Sequence, residues 1–301
     1  MAINHVEVAQ KMNEYHVMGA SVTQINDGKL FSSHHYGIKH AELKQSIDQK
    51  SVFNACSISK FATAVLALKL VSDGILFLDH DVNEHLKSWQ IPENEFTQRQ
   101  KVTLRSLLCH QAGFIDPQNS FGTYDLIAGK PSMVDLLSGR TPYSLMKAEV
   151  MYEPFTDFVY SDVGYCIVEL LIKDVLGRSF EEVMATYIFE PLLMKNSWMV
   201  STPMDVVNQN FVHGHTKDKV VIEGIQSVYP YPAAAGMWCT SEDLAQLLVE
   251  VYQLMDGQGK LGIEKNLMLE MITPQGCKSF AGLGVFLDQV DNHVEISSYG
   301  W

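Results

Sequence analysis

Ser51-Val52-Phe53-Asn54-Ala55-Cys56-Ser57-Ile58-Ser59-Lys60-Phe61-Ala62-Thr63-Ala64 is the stretch from which the rest of the chain can be read. Apolar side chains at Phe61, Val65, Leu68, Leu70 and Val71, with Ala62, Ala64 and Ala67 between them, predict a slim helix from Ser57 to Ser72. Gly74 stands where its C-terminal cap belongs. Ser57 and Lys60, three residues apart at the helix start, share one face with Cβ atoms about 5–6 Å apart. The first turn also offers unpaired N–H groups and a positive dipole end, both favourable to a developing oxyanion. A serine hydroxyl is a poor nucleophile at neutral pH, and a lysine can serve as its base where burial and positive potential lower the lysine pKa. By itself Ser-x-x-Lys recurs by chance about once in a few hundred residues. An N-cap serine beside a solvated lysine would give the same letters, so the surroundings decide.

Upstream, Val6 to Tyr15 has roughly helical spacing, Gly19 to Ile25 reads as a strand, and Asn26-Asp27-Gly28 turns it into a return strand from Lys29 to Gly37. Downstream, helices are expected near Asp81, from Thr103 to Cys109, from Val163 to Val175 with Gly177 as stop, from Phe180 to Ile188 and from Ser241 to Met255. Pro117, Pro131 and Pro142 break up the mixed stretch from Ile115 to Val150. Gly282 to Leu287 and Val294 to Ser298 read as strands. Strands at both ends around a helical middle predict an α+β fold, with an antiparallel sheet built from the chain ends and a helical region inserted between them.

The 301 residues are 47% hydrophobic and 19% charged, an ordinary globular composition, and the formal net charge is −13. Such a balance argues against nucleic acid or an anionic membrane as partner, because phosphate recognition needs a basic face. No apolar run approaches the ~18 residues of a membrane span. The beginning, Met1-Ala2-Ile3-Asn4-His5-Val6-Glu7, has no basic segment followed by an apolar core. Five scattered cysteines without a Cys-x-x-Cys suggest neither a zinc site nor a disulfide framework. Together these features predict a cytoplasmic protein, or a periplasmic one if a leader had been removed.

Further blocks carry more specific information. They are Val102-Thr103-Leu104-Arg105-Ser106-Leu107-Leu108-Cys109-His110-Gln111-Ala112-Gly113-Phe114, Phe158-Val159-Tyr160-Ser161-Asp162-Val163-Gly164-Tyr165, and Pro232-Ala233-Ala234-Ala235-Gly236-Met237-Trp238-Cys239-Thr240-Ser241. With the Ser57 block and Gly74-Ile75-Leu76-Phe77-Leu78-Asp79, they stand in the order and at the separations of the class C β-lactamase and penicillin-binding-protein-like serine hydrolases. The sequence resembles that family from about Gly19 to its end. The resemblance implies a β-lactamase/transpeptidase-like catalytic domain over residues 1–301, its α/β part about 1–56 and 225–301 and its helical part about 57–224. It implies that Ser57 is acylated, with its own N–H in the oxyanion hole. Lys60 is then its partner in proton transfer, and Tyr160 relays the proton to the leaving group and helps activate the deacylating water.

Two positions depart from the family pattern. Asp162 stands where many members have an asparagine that bonds both lysine and substrate; an ionised carboxylate donates no hydrogen bond and would raise the pKa of a paired Lys60. The family's third motif falls either on Ser298-Tyr299-Gly300, which would make Trp301 the second oxyanion donor, or begins at Trp301, the register preferred here. The family normally continues with more strand and a closing helix, so the C-terminal part looks shortened. Neither register supplies a cation. Substrate contacts are therefore expected from Asp162, Tyr299, Gly300 and Trp301, and the substrate is expected to be an uncharged small ester, amide or peptide. A β-lactam or D-Ala-D-Ala peptide is the alternative substrate, and a catalytically impaired relative with a binding or scaffold role is the alternative function.

Other signals are set aside. Gly257-Gln258-Gly259-Lys260-Leu261-Gly262 follows a predicted helix rather than a strand, so no dinucleotide is expected, and no other cofactor is implied. His34-His35 and His213-Gly214-His215 have no third ligand at useful spacing and are read as solvated loop histidines, with no metal site expected. His110 is read as structural. There is no Gly-x-Ser-x-Gly.

Overall fold

The structure is a computed structural model that describes residues 5–203, 210–222, 228–291 and 293–301. The part boundary expected at 224/225 lies outside the described residues. Helix α1 (His5–Glu14) leads into antiparallel strands β1 (Gly19–Asn26) and β2 (Lys29–His40), with a short β3 (Gln45–Ser46) alongside. Strand β4 (Phe53–Cys56) then delivers the chain to α2 (Ser59–Ser72). Next come α3 (Glu95–Arg99), α4 (Leu104–Leu108), α5 (Met133–Leu137), α6 (Asp162–Leu176) and α7 (Phe180–Met184), which runs on into a π turn over Ala185–Phe189. Strand β5 (Ser197–Met199), α8 (Pro232–Ala235), β6 (Met237–Cys239), α9 (Ser241–Met255), α10 (Lys265–Met271) and the hairpin of β7 (Phe286–Val290) and β8 (His293–Ser297) complete the order. This is the α+β class expected.

The core is organised around α2. Ala62, Ala64, Val65, Leu66, Ala67, Leu68 and Leu70 are fully shielded, so the helix is apolar on every side and runs through the core rather than over it. Each buried Leu or Val contributes about 1.5–3 kcal/mol relative to exposure. Gly74, at φ +72, ends the helix by donating to Val71 C=O while Ile75 N–H reaches Leu70 C=O. The small side chains of α8 let its backbone lie against both α2 and α6, and Thr63 Oγ1 donates to Ala233 C=O at 2.8 Å. Helix α6 is buried from Val163 to Ile172 and stops at Gly177, at φ +65, as expected.

Several expectations need correction. Helix α2 begins at Ser59, not Ser57, because Ser57 and Ile58 are spent turning the chain out of β4. The helix expected near Asp81 is one 3₁₀ turn, Val82–Glu84, capped by the Asp81 side chain. The strand expected from Gly282 starts only at Phe286. Gly284, at φ +73, lies against α2 instead, where a Cβ would come within 2.4 Å of Ala64 Cβ. Helix α5 forms inside the proline-broken stretch, on a Ser132 cap. The sheets are β1-β2-β3, β4-β6-β5 and β7-β8. Among the described residues the two chain ends share no ladder: β1 and β8 both line a cavity of about 370 Å³, through Ser21 to Thr23 and through Ile296 and Ser297. No helix of the described residues is long and apolar enough to cross a membrane.

Candidate active site

Strand β4 passes to α2 through a tight turn. Cys56 takes φ +46, a left-handed conformation that costs a non-glycine residue roughly 1–3 kcal/mol and persists only where its surroundings hold it. Asn54 Oδ1 accepts Cys56 N–H at 2.7 Å, Ser59 Oγ donates to Cys56 C=O, and Ser59 Oγ in turn accepts Met237 N–H at 2.8 Å. Ser57 stands at the apex of this turn, and its N–H has no hydrogen-bond partner among the described residues.

Lys60, one turn on, is 3% exposed. Its Nζ donates to Ser57 Oγ at 3.2 Å and to Ala234 C=O at 2.8 Å, and lies 2.6 Å from Asp162 Oδ1. The Tyr160 and Tyr165 ring centroids are 4.9 and 5.6 Å from it. Burial draws the Lys60 pKa down, but Asp162 and then Tyr160 outweigh it and hold the pKa above the ordinary lysine value. At neutral pH Lys60 is an ammonium that donates to Ser57; it accepts the serine proton only after losing its own.

Tyr160 precedes α6 and is 38% exposed. Its ring stacks on His110 at 4.3 Å. His110 Nδ1 accepts Ser161 N–H at 3.1 Å, which places the proton of the neutral ring on Nε2. Burial, with Lys60 nearby, pushes the His110 pKa down to about 3, so the imidazole is neutral and spaces Tyr160 from the core. Asp116 holds the same segment from behind. It accepts Ser161 O–H at 2.8 Å, Asp162 N–H at 2.7 Å and Val163 N–H at 3.2 Å. Burial and the neighbouring Asp162 raise its pKa. Sequence reading missed Asp116, since it lies in the proline-broken stretch and belongs to no periodic pattern. Asp116→Ala is expected to lower stability by about 2–3 kcal/mol by orphaning those donors, with Asn recovering part of the loss. A urea midpoint unchanged in the alanine variant would show that water replaces the carboxylate.

Ser57, Lys60, His110 and Tyr160 line a cleft of about 610 Å³ together with Leu108, Phe158, Val285, Phe286, Ser298, Tyr299 and Trp301. Gly300 is packed against the Ser57 turn, where a Cβ would lie 2.3 Å from Ala55 C=O. Asp162, expected to touch substrate, is not among the lining residues; it sits behind Lys60 as its counter-ion. The histidines read as solvated loops are instead half-buried. His34 and His35 point to opposite faces of β2, His35 bonding Ser21 Oγ at 2.8 Å, while His215 Nε2 accepts Ala41 N–H at 3.1 Å.

Known proteins resemble the chain in sequence and in fold. The Beta-lactamase family model matches residues 7–300. Protein flp of Staphylococcus aureus strain MW2 is 23% identical over 195 residues, 65% of this chain and 37% of that protein. Penicillin-binding protein 4* of Bacillus subtilis strain 168 is 27% identical over 193 residues, 62% of this chain and 39% of that protein. The chain thus spans less than half the length of these curated relatives. Among solved structures, the octameric penicillin-binding protein homologue from Pyrococcus abyssi superposes with a TM-score of 0.75 at 22% identity, over 94% of this chain and 64% of that one. EstCE1, described as a hydrolase with promiscuous acyltransferase activity, superposes with a TM-score of 0.68 at 20% identity, over 88% and 75%. With the family model covering nearly its whole length, the chain belongs to the Beta-lactamase family.

Proposed function

We propose that the protein is a serine hydrolase that acts on small uncharged esters or amides through an acyl-enzyme on Ser57. Ser57 Oγ would attack the carbonyl carbon, passing its proton to the Lys60–Tyr160 pair. The leaving group would take a proton as the C–O or C–N bond breaks, and water would then release the acyl group. One observation carries this reading: among the described residues, the only formal cation lining the cleft, Lys60, bonds Ser57 and is already neutralised by Asp162. A substrate carboxylate would find no free partner there among the described residues. The walls offer Phe158, Val285 and Phe286 to an apolar acyl or alkoxy group.

The Lys60–Asp162 pair also favours a second reading, in which a permanently protonated lysine leaves Ser57 unreactive and the cleft only binds. Intact mass after incubation with a fluorophosphonate distinguishes the two. A single adduct on the parent, absent from Ser57→Ala, is expected. No adduct on a folded parent between neutral and mildly alkaline pH would favour the binding reading.

A further inference from the structure

We infer that His80, Glu84 and His85 form a surface site for one divalent transition metal of the zinc class, separate from the Ser57 cleft. Their ligand atoms all lie within 4.8 Å of one another. Two imidazoles and a carboxylate are the donor set that zinc, cobalt and nickel accept, and zinc binds such atoms at about 2.0–2.2 Å. Tetrahedral ligands at that distance stand about 3.4 Å apart, so closure requires side-chain rotations of little more than 1 Å. His80 and Glu84 are exposed and His85 is half-buried, so such rotations meet little resistance.

The backbone carrying these donors is already fixed. Just before His80, Asp79 holds Arg105 through two bonds of 2.7 and 2.8 Å. Just after it, the Asp81 carboxylate accepts Asn83 N–H at 3.0 Å, and Val82 N–H reaches Val102 C=O at 3.0 Å. His85 N–H closes the 3₁₀ turn on Val82 C=O at 3.1 Å, and the next residue, Leu86, is anchored in the core. The rings are oriented as well. Phe77 stacks on His80 at 4.3 Å and on His85 at 5.7 Å, leaving the two imidazoles within 12° of parallel. A second, independent sign is that His85 Nε2 is shut off from water with no hydrogen-bond partner. Such an orphan is costly, and coordination through Nε2 removes the deficit. Three protein ligands leave a fourth position for water.

None of the three residues lines the Ser57 cleft, so the expected consequence of binding is a firmer junction between α2 and the segment after it, not a change in acyl chemistry. Titration of metal-free protein with Zn²⁺ alone, followed by calorimetry, is expected to show one micromolar site per chain. Thermal unfolding should shift upward with added Zn²⁺. His80→Ala and Glu84→Gln, both at exposed positions, should each weaken binding at least about tenfold, because even outer-shell losses cost 10–100-fold at metal sites. Co²⁺ should give a ligand-field spectrum without a thiolate charge-transfer band, which excludes the exposed Cys277 as the binding group. No heat at millimolar Zn²⁺, undiminished binding in both variants, or a thiolate band would each overturn the inference.

Discussion

Lys60→Gln is expected to slow acylation of Ser57 by about 10²–10⁴-fold, the range for loss of a positioned proton-transfer group, and to cost on the order of 3 kcal/mol of stability. The two effects have different origins. Acylation suffers because Lys60 Nζ is the cation bonded to Ser57 Oγ, at 3.2 Å. Stability suffers because Asp162 loses the counter-ion 2.6 Å away while staying three-quarters shielded. Its residual access to water places the cost at the low end of the range for broken buried pairs. The double variant Lys60→Gln/Asp162→Asn separates them: the denaturation midpoint should recover while acylation stays slow. Asp162→Asn alone tests the charge state. Acylation that depends on neutral Lys60 rises with pH through the lysine pKa. Removing the carboxylate that raises this pKa should move the ascending limb to lower pH by at least about one unit, equivalent to about 1.4 kcal/mol. A fluorophosphonate rate that is unchanged in Lys60→Gln, or a limb that stays in place in Asp162→Asn, would remove Lys60 from the chemistry.

Glu169→Gln is expected to abolish a pH dependence of stability on the order of 3–5 kcal/mol. Glu169 lies on α6, is 6% exposed, and accepts Ala233 N–H at 3.2 Å. Burial, with Glu181 nearby, raises its pKa to about 8, against the partial relief given by Ala233 N–H, Lys130 and Lys173. A carboxyl raised in this way keeps its proton in the folded chain where the unfolded chain has lost it. The folded state therefore binds more protons between about pH 4.3 and 8, and stability falls as pH rises through that window before levelling off. Glutamine keeps the acceptor for Ala233 N–H and cannot ionise. Urea midpoints at pH 5 and pH 8.5 should show the parent losing stability relative to the variant at the higher pH. A parent–variant difference that does not change with pH would mean that Glu169 is ionised in the fold. The effect bears on the site because Ala233 and Ala234 are consecutive residues of α8, and Ala234 C=O accepts from Lys60.

The sequence by itself determined the helix that carries the site and the pairing within it. Apolar periodicity and Gly74 specify α2, and the three-residue spacing puts Ser57 within one turn of Lys60, although Ser57 itself sits in the turn that leads into the helix. Local signals likewise marked α6 with its stop at Gly177, α9 to its final residue, and the first hairpin with its Asp27-Gly28 turn. What local pattern could not contain is any distance between segments far apart in the chain. Asp116 reaches Asp162 across 46 residues, and Ala234 C=O reaches Lys60 across 174. The charge on Lys60, the neutrality of His110 and the raised Glu169 all depend on such distances or on desolvation. Periodicity records which face of an element is buried; only packing fixes what that face meets, and through-space electrostatics follows the packing.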